Sequence, residues 1–178
     1  AQSSQWETLT YMKPHVAAEE QARVDFGGAN RLLPATLEAL LQALANALPK
    51  LDFLVINQQG PAPLLTDALA TPLLRLLAGY PHLIVVVDAR EQALSLAGPP
   101  HLPGLHFRLN RQECARLAQR SAPESGDLDG CAQLAQAGSA LLGAPLVLTR
   151  GECGTLACAG QTVTALPAPT FPGPRDPV

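Results

Sequence analysis

The sequence predicts an α/β domain built on a mainly parallel sheet that ends in an antiparallel hairpin. Apolar strand-like segments alternate with helix-like segments from Asp52 to Thr149, which is the signature of parallel strands joined by right-handed crossovers. Each of the four apolar segments in this region ends in a polar or charged residue. In such sheets ligands bind beyond the carboxyl ends of the strands. We therefore expect a polar ligand at one edge of the sheet.

Hydrophobic periodicity predicts the elements in order. Between Pro34 and Leu48, leucines recur at the i, i+3, i+4 spacing of a helix with one apolar stripe, and proline suits its first turn. The segment Leu83–Val87 is apolar throughout, so we expect a parallel strand buried on both faces. The other predicted helices are Leu64–Ala78, with a kink or break at Pro72, Glu91–Leu96, Arg111–Gln119 and Leu128–Leu142. The other predicted strands are Gln21–Phe26 (half-buried), Asp52–Asn57, Leu105–Leu109, Leu146–Thr149 and a hairpin of Thr155–Cys158 with Thr162–Leu166.

Length and composition favour one globular domain and disfavour nucleic acid or a membrane as partner. The chain has 178 residues, of which 47% are hydrophobic, enough for a sizeable core. Its net charge is −3 and it has no basic run, which argues against nucleic acid. Proline and charged residues interrupt the leucine-rich segments before any reaches the length of a membrane span.

The cysteines favour a reducing compartment. They form no Cys-x-x-Cys pair and have no histidine at zinc-finger distance, so free thiols are preferred over a disulfide. We therefore expect the protein in the cytoplasm. The cysteines are Cys114, Cys131, Cys153 and Cys158.

The strand that ends at Thr149 is followed by a cation and two glycines, Arg150, Gly151 and Gly154. Glycine lets the backbone approach an anion closely, and its amide can point at a phosphate oxygen. The alternative is a tight hairpin turn between two strands. Alone, the segment favours the turn, but the polar ends of the other strands favour a ligand-facing edge.

Three further pairs of residues have both a structural and a functional interpretation. Asn110 and Glu113 have the spacing of a capping box, or their oxygens could order water around Mg²⁺. Asp88 could pair with Arg90 at the strand end, or help to place a metal or a ligand hydroxyl. The remaining pair is Arg23 with Asp25, which share one face of a strand and form either an exposed ion pair or part of a sugar-binding surface.

Several familiar signatures are absent from the sequence. It has no Gly-x-Gly-x-x-Gly and no Gly-x-x-x-x-Gly-Lys-Ser/Thr, which disfavours dinucleotide-binding and P-loop folds. It has no Gly-x-Ser-x-Gly, which disfavours the usual hydrolase elbow.

The order of the remaining motifs resembles the ribokinase-like, or pfkB-type, carbohydrate kinases, and is most similar to those acting on heptose phosphate. The motifs are Arg-x-Asp (Arg23, Asp25), Val-Val-Asp-x-Arg (Asp88, Arg90), Asn-x-x-Glu (Asn110, Glu113) and Thr-Arg-Gly-x-x-Gly (Thr149, Arg150, Gly151, Gly154). The resemblance implies a three-layer α/β/α domain, often with a small β-sheet lid. It implies transfer of the γ-phosphoryl group of ATP to a sugar hydroxyl, with Mg²⁺.

The same resemblance assigns roles to residues of this chain. Asn110 and Glu113 would order Mg²⁺ and its waters, with Asp88 at the same edge. The nucleotide would lie along the segment from Thr149 to Gly154, including Arg150 and Gly151. The sugar side would hold Arg23, Asp25 and Asn57, with residues 1–30 as lid or sugar-side strands. Because the lids of this family often pair subunits, a homodimer is also implied.

The family pattern places the catalytic base outside this chain. The family continues into a Gly-Ala-Gly-Asp segment that supplies an anion hole and the general base, and an Asp with two small residues precedes it, much like Asp176-Pro177-Val178 here. The base is therefore expected beyond Val178. The family also has a glycine-rich sugar-binding part at its N-terminus. We expect residues 1–178 to be an internal portion of one domain, without a catalytic residue and without useful turnover alone.

A second departure from the family concerns the substrate. Where related heptose kinases carry Asp and a nearby Lys, this chain has Asn57-Gln58-Gln59-Gly60. A non-catalytic nucleotide- or sugar-binding module and an unrelated α/β protein are the alternatives to a carbohydrate kinase.

Overall fold

The computed structural model describes residues 7–17, 19–28, 30, 32–58, 64–97 and 102–170. The helices are α1 Pro34–Ala47, α2 Asp67–Leu77, α3 Arg111–Leu117 and α4 Leu128–Leu142, with 3-10 helices at Leu48–Lys50, Arg90–Leu96 and Gly151–Cys153. The strands are β1 Thr10–Met12, β2 His15–Val16, β3 Glu19–Glu20, β4 Val24–Phe26, β5 Phe53–Asn57, β6 Ile84–Asp88, β7 Leu105–Asn110, β8 Leu146–Thr149, β9 Thr155–Ala159 and β10 Thr162–Leu166.

The last six strands form one sheet in the order β10-β9-β8-β7-β6-β5. Strands β5 to β8 are parallel to one another, whereas β8, β9 and β10 pair antiparallel. The predicted α/β class, the mainly parallel sheet and the final hairpin are therefore confirmed. The parallel strands are neighbours in chain order, so every crossover steps in the same direction along the sheet. Right-handed crossovers of this kind place their helices on the same face.

Burial alternates along the strands because helices of the described chain cover one face. Val87, Phe107 and Leu148 point to the helical side and are buried among residues of α2 and α4. On the other side Phe53, Val55 and Ile84 are exposed. The strand ending at Val87, predicted to be buried on both faces, is therefore covered on one face only by the described residues. Sequence alone showed the apolar run but not which face the helices would cover.

The leucine stripe predicted for the first helix faces the edge of the sheet. Leu40, Leu41 and Leu44 are half-buried and, with Leu54 and Ile56 of β5, line an apolar cavity of about 340 Å³. No residue of α1 is fully buried. The stripe therefore packs loosely against the last strand of the sheet.

The second helix runs unbroken through a proline. Pro72 lies inside α2, and Leu69, Leu73 and Leu77 on both sides of it are buried. Packing of this apolar face outweighs the single backbone hydrogen bond that proline removes. Of the predicted kink or break at Pro72, the break does not occur, and the helix begins at Asp67 rather than Leu64.

The last helix has the predicted bounds because both of its ends are encoded locally. Asp127 caps α4 by accepting a hydrogen bond from the Gly130 amide at 2.9 Å. Gly143 ends it in the left-handed conformation, with φ +64°, which glycine adopts without a steric penalty.

The first strands form small sheets of their own. β1 pairs with β4 and β2 pairs with β3, both antiparallel. The predicted half-buried strand Gln21–Phe26 is shorter, Val24–Phe26, and is exposed along its whole length. It is exposed because it is one half of a two-stranded sheet, which cannot bury either face by itself.

The cysteines are unpaired, as the sequence favoured. Cys114 is fully buried between the sheet and α4, and burial raises the pKa of its thiol to about 12. Burial also raises the pKa of Cys131 and of Cys158. These three thiols therefore act as small core residues. Among the described helices, none combines the length and apolar content that crossing a bilayer requires.

Candidate functional site

The parallel register brings the polar strand ends to one edge of the sheet. Asn57 lies opposite Asp88 on the neighbouring strand, and Asn110 lies opposite Thr149. The pairing of β6 with β7 joins these two pairs. The sheet therefore places at one edge the four strand ends that the sequence singled out. We refer to this set, Asn57, Asp88, Asn110 and Thr149, as the polar edge.

Asn110 and Glu113 form the predicted capping box at the start of α3. The Glu113 amide donates to Asn110 Oδ1 at 2.8 Å, and the Asn110 amide donates to Glu113 Oε2 at 2.8 Å. Glu113 is only 8% exposed. The box fixes a carboxylate, already largely withdrawn from water, beside the polar edge.

The second oxygen of this carboxylate faces a cation. Glu113 Oε1 lies 3.8 Å from Arg90 Nε, which is longer than a hydrogen-bonded ion pair. Arg90 lies two residues after Asp88, the last residue of β6, and has a φ of +46°. Left-handed backbone is uncommon for a residue with a side chain and is a form of local strain.

Asp88 has a different partner from the one predicted. Its Oδ2 lies 2.7 Å from Arg108 Nη1 on the adjacent strand. Of the two alternatives for Asp88, the ion pair with Arg90 was therefore wrong, and a role in placing a metal or ligand hydroxyl stays a prediction. The two residues face each other because Val86 lies opposite His106, two residues earlier on each strand. Strand alternation marked Arg108 as a residue on the same face as Asn110, but the partner strand could not be identified before the sheet order was known.

The buried side chain of Arg150 holds the turn that follows β8 by hydrogen bonds to backbone carbonyls. Its Nη1 donates to Ser125 O at 3.3 Å and its Nη2 to Cys153 O at 2.5 Å. The residue is 7% exposed, and its Nε is buried with no hydrogen-bond partner among the described residues. Its backbone amide also stays within the turn, bonded to Gly154 O at 2.8 Å. The side chain that the resemblance assigned to the nucleotide is thus engaged in holding the turn.

The two glycines of this turn have different reasons to be glycine. At Gly151, with φ +61°, a Cβ would meet nothing within 4 Å. At Gly154, with φ +85°, a Cβ would lie 2.1 Å from Leu166 O. The Gly154 amide donates to Gly151 O at 3.1 Å, so it is engaged within the turn. Gly151 alone presents bare backbone to open space, where a ligand could approach.

Arg23 and Asp25 form the exposed ion pair that the sequence favoured. Nε to Oδ1 is 2.7 Å and Nη2 to Oδ2 is 2.9 Å, a bidentate contact. The guanidinium also lies 4.6 Å from the centre of the Tyr11 ring. Tyr11 was missed in the sequence, although it lies opposite Asp25 on the same face of the small sheet.

The polar edge is compatible with Mg²⁺ but not with a metal held by protein alone. Among the described residues, no three His, Cys, Asp or Glu side chains come together as a metal site. Mg²⁺ keeps several waters and is commonly held by one or two carboxylates together with phosphate oxygens. Glu113, with its fixed carboxylate, meets that requirement, and Asp88 lies along the same edge.

The catalytic base expected beyond Val178 stays a prediction. Val178 and the rest of the segment 171–178 lie outside the described residues, which end at Thr170, shortly after β10. Asp88 at the polar edge and Glu113 beside it each have a partner already. Both carboxylates therefore take part in contacts within the protein through at least one oxygen.

The fold is similar to that of solved sugar kinases. Phosphofructokinase-2 from Escherichia coli, solved with fructose-6-phosphate, matches with a TM-score of 0.56 and 18% identity, covering 93% of this chain and 52% of that chain. The tetrameric inhibited form of the same enzyme gives a TM-score of 0.62 at 18% identity, covering 91% of this chain and 51% of that chain. The chain has a ribokinase-like fold.

The ribokinase-like fold confirms the fold that the sequence resemblance implied. No protein-family model and no curated protein sequence matches the chain. The chain spans about half the length of the structures it matches, from 43% to 52% of the phosphofructokinase-2 chains.

Proposed function

We propose that this chain is the nucleotide-binding part of an ATP-dependent kinase for a sugar or sugar phosphate. The observation that carries the proposal is the parallel register, which aligns Asp88, Asn110 and Thr149 along one edge beside the buried carboxylate of Glu113. Ligands of parallel α/β sheets bind at this edge. The ribokinase-like fold adds support, because the matched structures are of phosphofructokinase-2.

The proposed roles follow from the contacts. Thr149 and Gly151 lie along the nucleotide, with Gly151 offering open backbone and Arg150 holding the turn. Asn110 orients Glu113 through the capping box, and Glu113 would accept hydrogen bonds from waters bound to Mg²⁺. When bound, Mg²⁺ would supply the positive charge that phosphoryl transfer requires at the phosphates. Positioning and charge neutralisation are the main contributions that a protein makes to this reaction.

The sugar side is proposed to include Asn57 and the small sheets, with Arg23 and Asp25. The bidentate pair of Arg23 and Asp25 offers donors and acceptors in a fixed arrangement on an exposed surface. Phosphofructokinase-2 was solved with fructose-6-phosphate, so sugar phosphates, heptose phosphates included, head the panel of substrates to test. The small sheets would act as the lid.

We further propose that residues 1–178 belong to a single three-layer domain. The sheet and one helical layer lie within the described residues. The opposite face is 50% exposed at Phe53, 56% at Val55 and 45% at Ile84, whereas parallel sheets are normally covered on both faces. A second helical layer over these side chains would complete the domain.

The lid also supports a homodimer. On the face of the small sheet opposite Tyr11, the side chains of Met12, Val24 and Phe26 are exposed together. Apolar groups presented in this way favour self-association. Sedimentation velocity should show a dimer that Phe26→Ser weakens; a wild-type monomer at every concentration would contradict the dimer. ATP use and free thiols together support a cytoplasmic location.

The 178-residue chain is expected to bind Mg-ADP or Mg-ATP without forming a sugar phosphate. Asp88 is paired with Arg108, and Glu113 is held by the Asn110 amide and assigned to the waters of Mg²⁺, so neither carboxylate is proposed as the base that accepts the hydroxyl proton. Calorimetric titration with Mg-ADP, and a phosphoryl-transfer screen over sugars and sugar phosphates, check the two halves of this prediction. Absence of nucleotide binding would contradict the proposed function.

A non-catalytic nucleotide-binding module is the second candidate, favoured by the same engaged carboxylates. Both candidates predict nucleotide binding by this chain. They differ in the product expected from the protein isolated from its natural source. A kinase converts a sugar or sugar phosphate in the presence of Mg-ATP, whereas a binding module gives no product with any member of the panel.

A further inference from the structure

We propose that Arg90 is a resident counter-ion of Glu113, which gives way to Mg²⁺ and then contacts the phosphates of the nucleotide. This inference rests on the proposed function, since it concerns the same edge of the sheet. It adds Arg90 as a positioning residue, and the observation behind it is the contact between Arg90 and Glu113.

The first support is the demand of a buried carboxylate for positive charge. Glu113 is 8% exposed, and one of its oxygens is satisfied by the Asn110 amide. The other oxygen faces Arg90 Nε at 3.8 Å. A carboxylate withdrawn from water is costly unless a cation or donor compensates it. Arg90 supplies that charge beside the same carboxylate that would hold the waters of a divalent ion.

The second support is that the contact is loose. The Arg90 side chain remains 47% exposed, and 3.8 Å is beyond hydrogen-bond distance. Arg108, on the same edge, is held differently, with 2.7 Å between its Nη1 and Asp88 Oδ2. Two half-exposed arginines at one edge therefore differ in how firmly they are held. Arg90 is the one that can leave its partner without breaking a short hydrogen bond.

The third support is the backbone of Arg90. Its φ of +46° is strained for a residue with a side chain. The two preceding residues hold that conformation in place. Ala89 is fully buried, and Asp88 O accepts a hydrogen bond from the Gln58 backbone amide at 2.8 Å. Strain maintained by its surroundings at a ligand-facing edge points to a functional role. Here it aims a flexible cation along the polar edge.

The test separates the metal from the phosphates. Mn²⁺ alone, followed by water-proton relaxation, should bind Arg90→Gln roughly two- to fivefold more tightly than the wild type, because a half-exposed competing ion pair is removed. ADP at saturating Mg²⁺, followed by calorimetry, should bind the same variant about tenfold more weakly, because a charge-assisted contact is lost. Arg90→Lys keeps the charge, so its affinities for Mn²⁺ and for ADP should lie between those of the wild type and those of Arg90→Gln.

Two controls exclude trivial causes. Arg75→Gln removes an exposed cation from the last turn of α2. This turn lies far from the polar edge, because the crossover helix runs back from the end of β5 toward the start of β6. The variant should therefore change neither the Mn²⁺ affinity nor the ADP affinity. Arg90→Gly relieves the positive φ while removing the charge. It should unfold at higher urea than Arg90→Gln yet show the same Mn²⁺ and ADP affinities, so the changes cannot come from loss of structure.

The outcomes of the test distinguish the failure of each claim. If wild-type chain binds no ADP at any Mg²⁺ concentration, the proposed function is wrong and so is the contact of Arg90 with phosphates. If ADP binds the wild type but Mn²⁺ affinity is unchanged or lower in Arg90→Gln, Arg90 is not a counter-ion that yields to the metal. If Mn²⁺ binds more tightly but ADP affinity is unaltered, the transfer of Arg90 to the phosphates is overturned.

Discussion

Glu113→Gln is expected to lower the affinity for Mg-ADP at least about tenfold, on the scale of a charge-assisted hydrogen bond, while leaving the fold intact. Glutamine can still accept the hydrogen bond from the Asn110 amide, because a capping box works with Glu or Gln. It cannot supply the negative charge that orders the waters of a divalent ion. Calorimetric titration with ADP, with Mg²⁺ and with EDTA, measures the difference.

Two further variants make this experiment specific. Glu113→Ala removes both the charge and the side-chain hydrogen bond to the Asn110 amide, and should also lose about 1 kcal/mol of unfolding free energy. Glu38→Gln makes the same chemical change at an exposed position of α1 and should leave nucleotide binding unaltered. Wild-type affinity for Mg-ADP in Glu113→Gln would mean that Glu113 only caps the helix.

Gly154→Ala is expected to be the most destabilising single change in the turn, by roughly 2–5 kcal/mol. A Cβ there would lie 2.1 Å from Leu166 O and 2.8 Å from Ala168 N, in a backbone with φ +85°. Overpacking of this kind typically costs about 1–3 kcal/mol, and left-handed backbone about 1–2 kcal/mol more. Urea unfolding of the variant checks the sum. An alanine variant within about 1 kcal/mol of wild type, the lower bound for overpacking, would show that the β10 segment moves aside easily.

Gly151→Ala is the matched variant, three residues earlier. Its φ is also positive, +61°, but its Cβ would meet open space, so the loss should be only about 1–2 kcal/mol. If a nucleotide approaches the backbone at Gly151, this variant should remain folded but lose ADP affinity. Unchanged ADP affinity in a folded Gly151→Ala variant would favour a plain hairpin turn after β8.

Elements defined by neighbouring residues could be read from the sequence. The capping box needed only the spacing of Asn110 and Glu113, and the end of α4 needed only Gly143 after a periodic segment. The parallel class followed from alternation of apolar strands and helices. The capping box and the helix end depend on a few consecutive residues, and the alternation depends only on the order of segments along the chain, so a single sequence contains all the information they require.

Features that depend on the order of the strands could not be read in advance. The pair of Asp88 with Arg108 joins residues 20 positions apart, and it exists because β6 and β7 are neighbours. Exposure of Ile84 depends on every crossover falling on the same face. Gly151 and Gly154 look equivalent in sequence, yet only Gly154 is crowded, because β10 returns beside it.

Hydrogen exchange with and without Mg-ADP most directly tests whether the polar edge of the sheet binds a nucleotide. Protection should increase in the segments that contain Asn110–Glu113 and Thr149–Gly154, and should stay unchanged in α1 and in the turn between β9 and β10. Protection confined to other segments, or no change at saturating Mg-ADP, would contradict the assignment of this edge as the nucleotide site.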